Sequence, residues 1–200
     1  SELTWEKTND LNIGLELVFL RGKRILFVTD FYNRSIRDLF GPMKTSGIGS
    51  QFVKIGNYAT MKSNAVEFTL NAKVIEKKDF GWTSRMNLSF NKNKITKLDI
   101  NPNIWTLVSP NGGTVIGKPQ RGLYAVKFTG LNHYFGYPTY VGIGDPKANT
   151  TYINLQSDNI ANLQYIGPVD PITTGGFYNQ IRYKGFTLSA LIKFAYCNYL

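Results

Sequence analysis

Two hundred residues suffice for one ordinary domain, and a content of 42% hydrophobic and 14% aromatic residues removes the chain from the disordered class. A formal net charge of +10 is compatible with nucleic acid, an anionic surface or an acidic ligand, so only the arrangement of the cations can choose among them. They gather at turns, as in Arg21-Gly22-Lys23-Arg24 and Lys77-Lys78, and form no stripe of helical spacing, so no nucleic-acid partner is expected. With 12 Tyr, 13 Phe and 19 Gly the composition favours an all-β chain. Cys197 is alone, which excludes an intrachain disulfide and a CxxC redox or zinc site, and the only histidine, His133, has no thiolate neighbour. No metal or cofactor is expected. No apolar run reaches the roughly 20 residues of a spanning helix, so a membrane would be met with strands.

The first strand alternates, with Val18 the one mild break on its polar face. Leu11, Ile13, Leu15, Leu17 and Phe19 share one face against Asn12, Gly14 and Glu16. After the Arg21-Gly22-Lys23 turn, Ile25, Phe27, Thr29 and Phe31 return against Leu26, Val28, Asp30 and Tyr32. A second hairpin sets Val66, Phe68, Leu70, Ala72 and Val74 against Glu67, Thr69, Asn71 and Lys73, turns at Glu76-Lys77-Lys78-Asp79, and comes back as Trp82, Met86, Leu88 and Phe90. In a third, Phe177, Ile181 and Tyr183 precede the Lys184-Gly185 turn, and Phe186, Leu188, Ala190, Ile192, Phe194 and Tyr196 follow it. The pattern predicts hairpins over about 9–34, 63–92 and 175–197, joined by long loops over about 35–62 and 93–174.

The strand charges Glu16, Asp30, Glu67, Lys73, Arg85, Arg182 and Lys193 all fall opposite the apolar series. Two architectures produce that alternation. In a soluble β-sandwich the apolar faces of two sheets pack together, and such a module could bind carbohydrate or protein through its loops. In a transmembrane barrel the apolar face meets lipid and the polar face a wet lumen. Predicted strands of about 10 to 12 residues suit the barrel, because about 9 to 11 residues cross a bilayer when tilted. Short turns near 21, 77 and 184 with long loops elsewhere suit it too.

A family resemblance follows from the order of several short words. Trp5-Glu6-Lys7-Thr8, Asn12-Ile13-Gly14-Leu15-Glu16, Asp30-Phe31-Tyr32-Asn33, Asn64-Ala65-Val66-Glu67, Phe90-Asn91-Lys92-Asn93-Lys94-Ile95, Gly117-Lys118-Pro119 and Gly175-Gly176-Phe177 resemble the late barrel region of SusC/RagA-type TonB-dependent outer-membrane transporters. Departures are local: Ala65 stands where that family usually has Gly, and Cys197 where Gly is usual. The resemblance implies that residues 1–200 are a fragment of one transmembrane β-barrel domain whose plug lies outside the segment. It also implies a multi-pass location in the outer membrane and import of oligosaccharide or peptide rather than catalysis. The implied partners are a SusD-like surface lipoprotein, outer-membrane lipid, and the TonB complex acting through parts of the protein outside this segment.

No catalytic set emerges from the residues themselves. Asp145, Asp158 and Asp170 could be imagined as glycosidase carboxylates, but their Pro and Asn neighbours read as turns. Gly47-Ile48-Gly49 and Gly142-Ile143-Gly144 open no helix and read as loop glycines, and Asp158-Asn159 with Asn162 lacks the ordered spacing of a calcium loop. The long loop is richer in binding chemistry. Trp105, Tyr124, Tyr134, Tyr137 and Tyr140, with Phe135 and Tyr152 nearby, lie among Asn and Gly, a mixture able to stack on a sugar ring and bond its hydroxyls. Those five residues, Trp105 to Tyr140, are the candidate ligand contacts. Trp82, Phe90 and Tyr196 sit near strand ends and suit an interfacial aromatic belt.

Overall fold

A computed structural model describes residues 3–20, 22, 24–44, 53–141, 149–150, 160 and 163–199. Its main body is one antiparallel sheet of six strands: β1 (Lys7–Phe19), β2 (Ile25–Lys44), β3 (Val53–Glu76), β4 (Phe80–Leu98), β10 (Thr173–Tyr183) and β11 (Phe186–Tyr196). These pair in the order β1-β2-β3-β4-β10-β11, so strands adjacent in the sheet follow one another along the chain except for the excursion between β4 and β10. The all-β antiparallel meander expected from the sequence is what forms. Connections β1–β2, β3–β4 and β10–β11 are short and share one end of the sheet, because alternate turns of a meander fall on the same side.

Register converts the alternation into two continuous faces. Leu17 pairs with Phe27, Phe27 with Leu70, Leu70 with Met86, Met86 with Phe177, and Phe177 with Ile192, so one apolar row crosses all six strands. The row above it runs Leu15, Thr29, Phe68, Leu88, Gly175 and Phe194. On the opposite face Glu16, Val28, Thr69, Asn87, Gly176 and Lys193 line up in the same way. Among the described residues no second sheet covers the apolar face, and β1 and β11 are exposed along their whole lengths. This single layer differs from the sandwich arrangement, in which a second sheet buries the apolar rows.

The strands run past their expected ends. Much of the 35–62 stretch expected as loop is strand, since β2 continues to Lys44 and β3 begins at Val53, and β4 continues to Leu98. The period of two fails there for a reason the register shows. Bulges between Ile36 and Leu39, between Leu39 and Phe40, and between Thr60 and Met61 insert extra residues and shift which side chains share a face. Asp38 sits at the first bulge with φ 60°, and the Asn57 amide clamps it by donating to its carbonyl at 2.6 Å while also donating to Thr4 O.

This extension holds a buried core. Leu39, Tyr58, Ala59 and Ile95 pack together, with Ile36, Met43, Met61, Leu98 and Ile100 around them. Ile36, Met61 and Ile95 lie in one cross-strand row, on the face that is polar lower in the sheet. Gly41 is required in this cluster, because a Cβ there would stand 2.5 Å from the Tyr58 ring.

The excursion between β4 and β10 covers the core and is not a bare loop. It contains the single-turn helix α1 (Ile104–Leu107), capped by Asn103 and Thr106, which sends Ile104 and Leu107 into the interior. Strands β5 (Gly122–Val126) and β9 (Leu163–Pro168) pair together, while β6 (Phe128–Leu131), β7 (Pro138–Val141) and β8 (Asn149–Thr150) form a small sheet of their own. Ile95 N donates to Lys118 O and Gly117 N to Ile95 O, fastening the excursion to β4.

Candidate functional site

Three surfaces could carry function: the apolar face, the polar face, and the aromatic groups of the excursion. The apolar face forms a band whose height can be set against that of a membrane. On β4 its outward positions run from Phe80 to Phe90, about ten steps of about 3.4 Å, and a tilt of about 40° reduces this to about 26 Å. That equals the height of the lipid-facing band of a transmembrane barrel, about 25 Å. Trp82, Ile181 and Leu188 share an outward row near the tight turns, and Phe90 and Tyr196 share one at the far limit of the band. The belt residues expected from the sequence thus stand at its two borders. Trp82 Nε1 donates to Asn179 Oδ1 at 3.1 Å, which satisfies the indole on an otherwise apolar surface.

Charges of both signs lie on the polar face, including the Arg34–Asp10 ion pair between β2 and β1. Glu16, Asp30 and Glu67 lie on β1 to β3, and Asp30 and Glu67 are direct cross-strand partners. Lys73, Arg85, Arg182 and Lys193 lie on β3, β4, β10 and β11. Asp30 fits because its partner in β1 is Gly14, where a Cβ would come within 2.6 Å of Asp30 Oδ1. Ser89 Oγ donates to Glu67 Oε1 at 3.2 Å, and the Arg85 guanidinium lies 5.9 Å from the centre of the Tyr178 ring.

The structure divides the five expected ligand contacts into three groups. Trp105, on α1, is 62% exposed and borders a groove of about 390 Å³ that Tyr58, Ile100, Pro102 and Thr114 also line. Tyr58 escaped the sequence reading because it lies in the stretch taken for a loop. Its ring belongs to the core, while its hydroxyl accepts from Gln120 Nε2 at 3.2 Å.

Tyr134, Tyr137 and Tyr140 belong to the β6–β7 hairpin. Asn132 Oδ1 accepts from Tyr134 N at 2.9 Å and Phe135 N at 3.1 Å, which orders the tip. Tyr134 is 86% and Phe135 74% exposed, and Phe135 stacks on Tyr137 with centroids 6.1 Å apart. Tyr140 instead packs edge-on against Phe128.

Tyr124 stands apart: it is only 9% exposed, tilted against Tyr165 at 5.6 Å, and offers no open ring face. Its hydroxyl has no hydrogen-bond partner among the described residues. Burial, reinforced by the neighbouring Tyr165, pushes this phenol up to about 12. Lys118 Nζ sits 4.6 Å from the centre of the Tyr165 ring, closing that cluster with a cation. Tyr152, Asp145, Asp158, Asn159, Asn162, Gly47-Ile48-Gly49 and Gly142-Ile143-Gly144 lie outside the described residues. Among the described residues no group of His, Cys, Asp or Glu could hold a metal ion, and Asp170 is engaged by the Arg121 guanidinium at 2.6 Å.

Comparison with known proteins gives one consistent answer. No family model matches the chain. It is 29% identical over 204 residues to TonB-dependent receptor P3 of Formosa agariphila, a match covering 94% of this chain and 20% of that protein. It is 40% identical over 98 residues to TonB-dependent receptor SusC of Bacteroides thetaiotaomicron, which covers 48% of this chain and 10% of that one. Among solved structures it is similar to the RagAB peptide transporter, with 26% identity, a TM-score of 0.79 and coverage of 96% of this chain and 21% of that chain. The closed-closed state of the RagAB peptide importer aligns with a TM-score of 0.81 at 25% identity, covering 98% of this chain and 22% of that chain. The chain spans about a fifth of the length of the receptor and transporter chains that it matches along nearly all of its own length. These relatives are named as receptors and transporters, not as enzymes.

Proposed function

From the similarity of nearly the whole chain to SusC/RagA-type TonB-dependent receptors, we propose that it forms one wall of an outer-membrane barrel that imports oligosaccharide or peptide. One observation carries the reading: an apolar band of membrane height crosses six strands on one face, and none of the described residues packs a second layer on it. In water that surface would associate; in a bilayer it is already in its solvent. The polar face then lines the lumen, the tight turns point to the periplasm, and the excursion between β4 and β10 lies outside the cell. Residues 1–200 belong to a single barrel domain, with plug and TonB contact elsewhere in the protein, and a SusD-like lipoprotein closes the outer mouth.

The aromatic groups of the excursion are proposed contacts for cargo. Trp105 offers an open indole beside a groove, and Tyr134 and Tyr137 an exposed hairpin tip, surfaces on which a sugar ring or peptide side chain can stack. Tyr140 holds that hairpin through Phe128, and Tyr124 supports the excursion from beneath.

The test uses the full-length protein. It should fractionate with the outer membrane, and its binding to the best ligand of an oligosaccharide and peptide panel should weaken about tenfold for Trp105→Ala and for a Tyr134→Ala/Tyr137→Ala pair. Recovery of the full-length protein as a soluble monomer without detergent would end the barrel reading. Unchanged affinity in both variants would remove these residues from the site.

A further inference from the structure

Lys62 and Lys94 are direct cross-strand partners on the outward face of the sheet, just beyond the last apolar row. Between them and that row, formed by Phe31, Val66 and Phe90, lies a polar row in which Asn33 pairs with Asn64, and Asn64 with Lys92. Asn33 Nδ2 donates to Asn64 Oδ1 at 2.8 Å. Like charges placed directly opposite on a sheet repel, and a strand pair does not keep them without compensation. Lys62, Lys92 and Lys94 are all exposed, and no carboxylate of the described residues lies within 4.0 Å of any of them. The neighbouring Lys97, by contrast, is paired with Asp99 at 2.8 Å.

We propose that Lys62, Lys92 and Lys94 form a binding site for the phosphorylated sugar headgroup of lipopolysaccharide, the lipid of the outward leaflet. The proposal rests on the barrel reading, which sets the apolar band in lipid and the long connections outside the cell. At that depth an outward-facing cation meets headgroups rather than acyl chains or free solvent. A phosphate monoester is the compensating charge that a Lys–Lys pair needs, and the Asn33–Asn64 amides add donors on the membrane side. An occupied site would anchor acyl chains along the band beneath it, against Phe31 and Phe90.

The experiment titrates full-length receptor in detergent with lipid A, with lipid A whose phosphates have been removed, and with phosphatidylglycerol, reading bound lipid by native mass spectrometry. Phosphorylated lipid A should bind about tenfold tighter than either alternative. A Lys62→Gln/Lys92→Gln/Lys94→Gln variant should lose that preference. A Lys77→Gln/Lys78→Gln/Lys184→Gln variant, with the same charge removed at the tight-turn end, should keep it. Equal binding of phosphatidylglycerol, or equal loss in both triple variants, overturns the site while leaving the barrel intact. Failure of the receptor to fractionate with the outer membrane overturns the barrel reading and the site with it.

Discussion

The same three strands, β2, β3 and β4, behave in opposite ways along their length. In the lower part Phe27, Leu70 and Met86 face outward and the inner face carries Asp30, Glu67 and Arg85; among the described residues the small Ala65, 2% exposed, is the buried apolar side chain there. In the upper part Ile36, Met61 and Ile95 turn inward, join Leu39 and Tyr58, and meet the excursion through Ile100, Lys118 and Gln120, while the outward face carries Lys62 and Lys94. The difference fits the proposed barrel, in which one sheet crosses between two solvents. Where lipid surrounds the sheet the apolar side faces out, and where water surrounds it the apolar side must find protein. On that reading the Asn33–Asn64 pair marks the crossing.

The contrast can be broken at either end. The largest effect is expected for Ile95→Ala in the full-length protein, since Ile95 is 0% exposed and the deletion leaves a cavity; about 2–5 kcal/mol should be lost from the upper region. Hydrogen exchange should show α1 and the Gly117–Lys118 contact opening while the lower rows stay protected, and uniform loosening of the whole sheet would contradict a separate upper core. Next is Leu70→Arg, at the middle of the lower band. It should destabilise the protein by about 2–4 kcal/mol when unfolding is followed in lipid vesicles. A neutral result there would mean that Leu70 does not face lipid.

The smallest effect concerns Tyr124. Its hydroxyl is buried without a partner among the described residues, so Tyr124→Phe should stabilise the upper region by up to about 1 kcal/mol at neutral pH. The pH dependence has a definite sign. The unfolded phenol titrates near 10.0 and the folded one at about 12, so within that window only the unfolded chain releases the proton. Stability therefore falls as pH rises from 10.0 towards about 12, and this contribution disappears in the phenylalanine variant. Destabilisation by the substitution at neutral pH would show that the hydroxyl has a partner.

The lower sheet was legible in the sequence because one face of each strand is largely apolar and the period of two shows through, although Leu26 and Val28 make β2 apolar on both faces near its turn and Thr29 and Ser84 interrupt the apolar series. All three tight turns and the charged residues of the inner face follow from that pattern. The upper region was not legible. Bulges near Ile36, Leu39 and Thr60 break the period, and Gly41, Gly56 and Pro42 resemble loop residues although β2 and β3 continue through them. The aromatic candidates were legible as chemistry and not as places. Composition cannot separate Tyr134, at an open tip, from Tyr124, sealed beneath Tyr165.

The sequence by itself determined the strands of the band, their amphipathic faces and the turns between them, since alternation and turn chemistry are local properties. Only the tertiary structure decided that the apolar rows align across six strands without a covering sheet among the described residues, and that the same strands turn their apolar side the other way above Asn33 and Asn64. Register and cover are set by contacts between residues far apart in the chain, such as Ile95 with Met61 and Gln120 with Tyr58, and no local pattern encodes those.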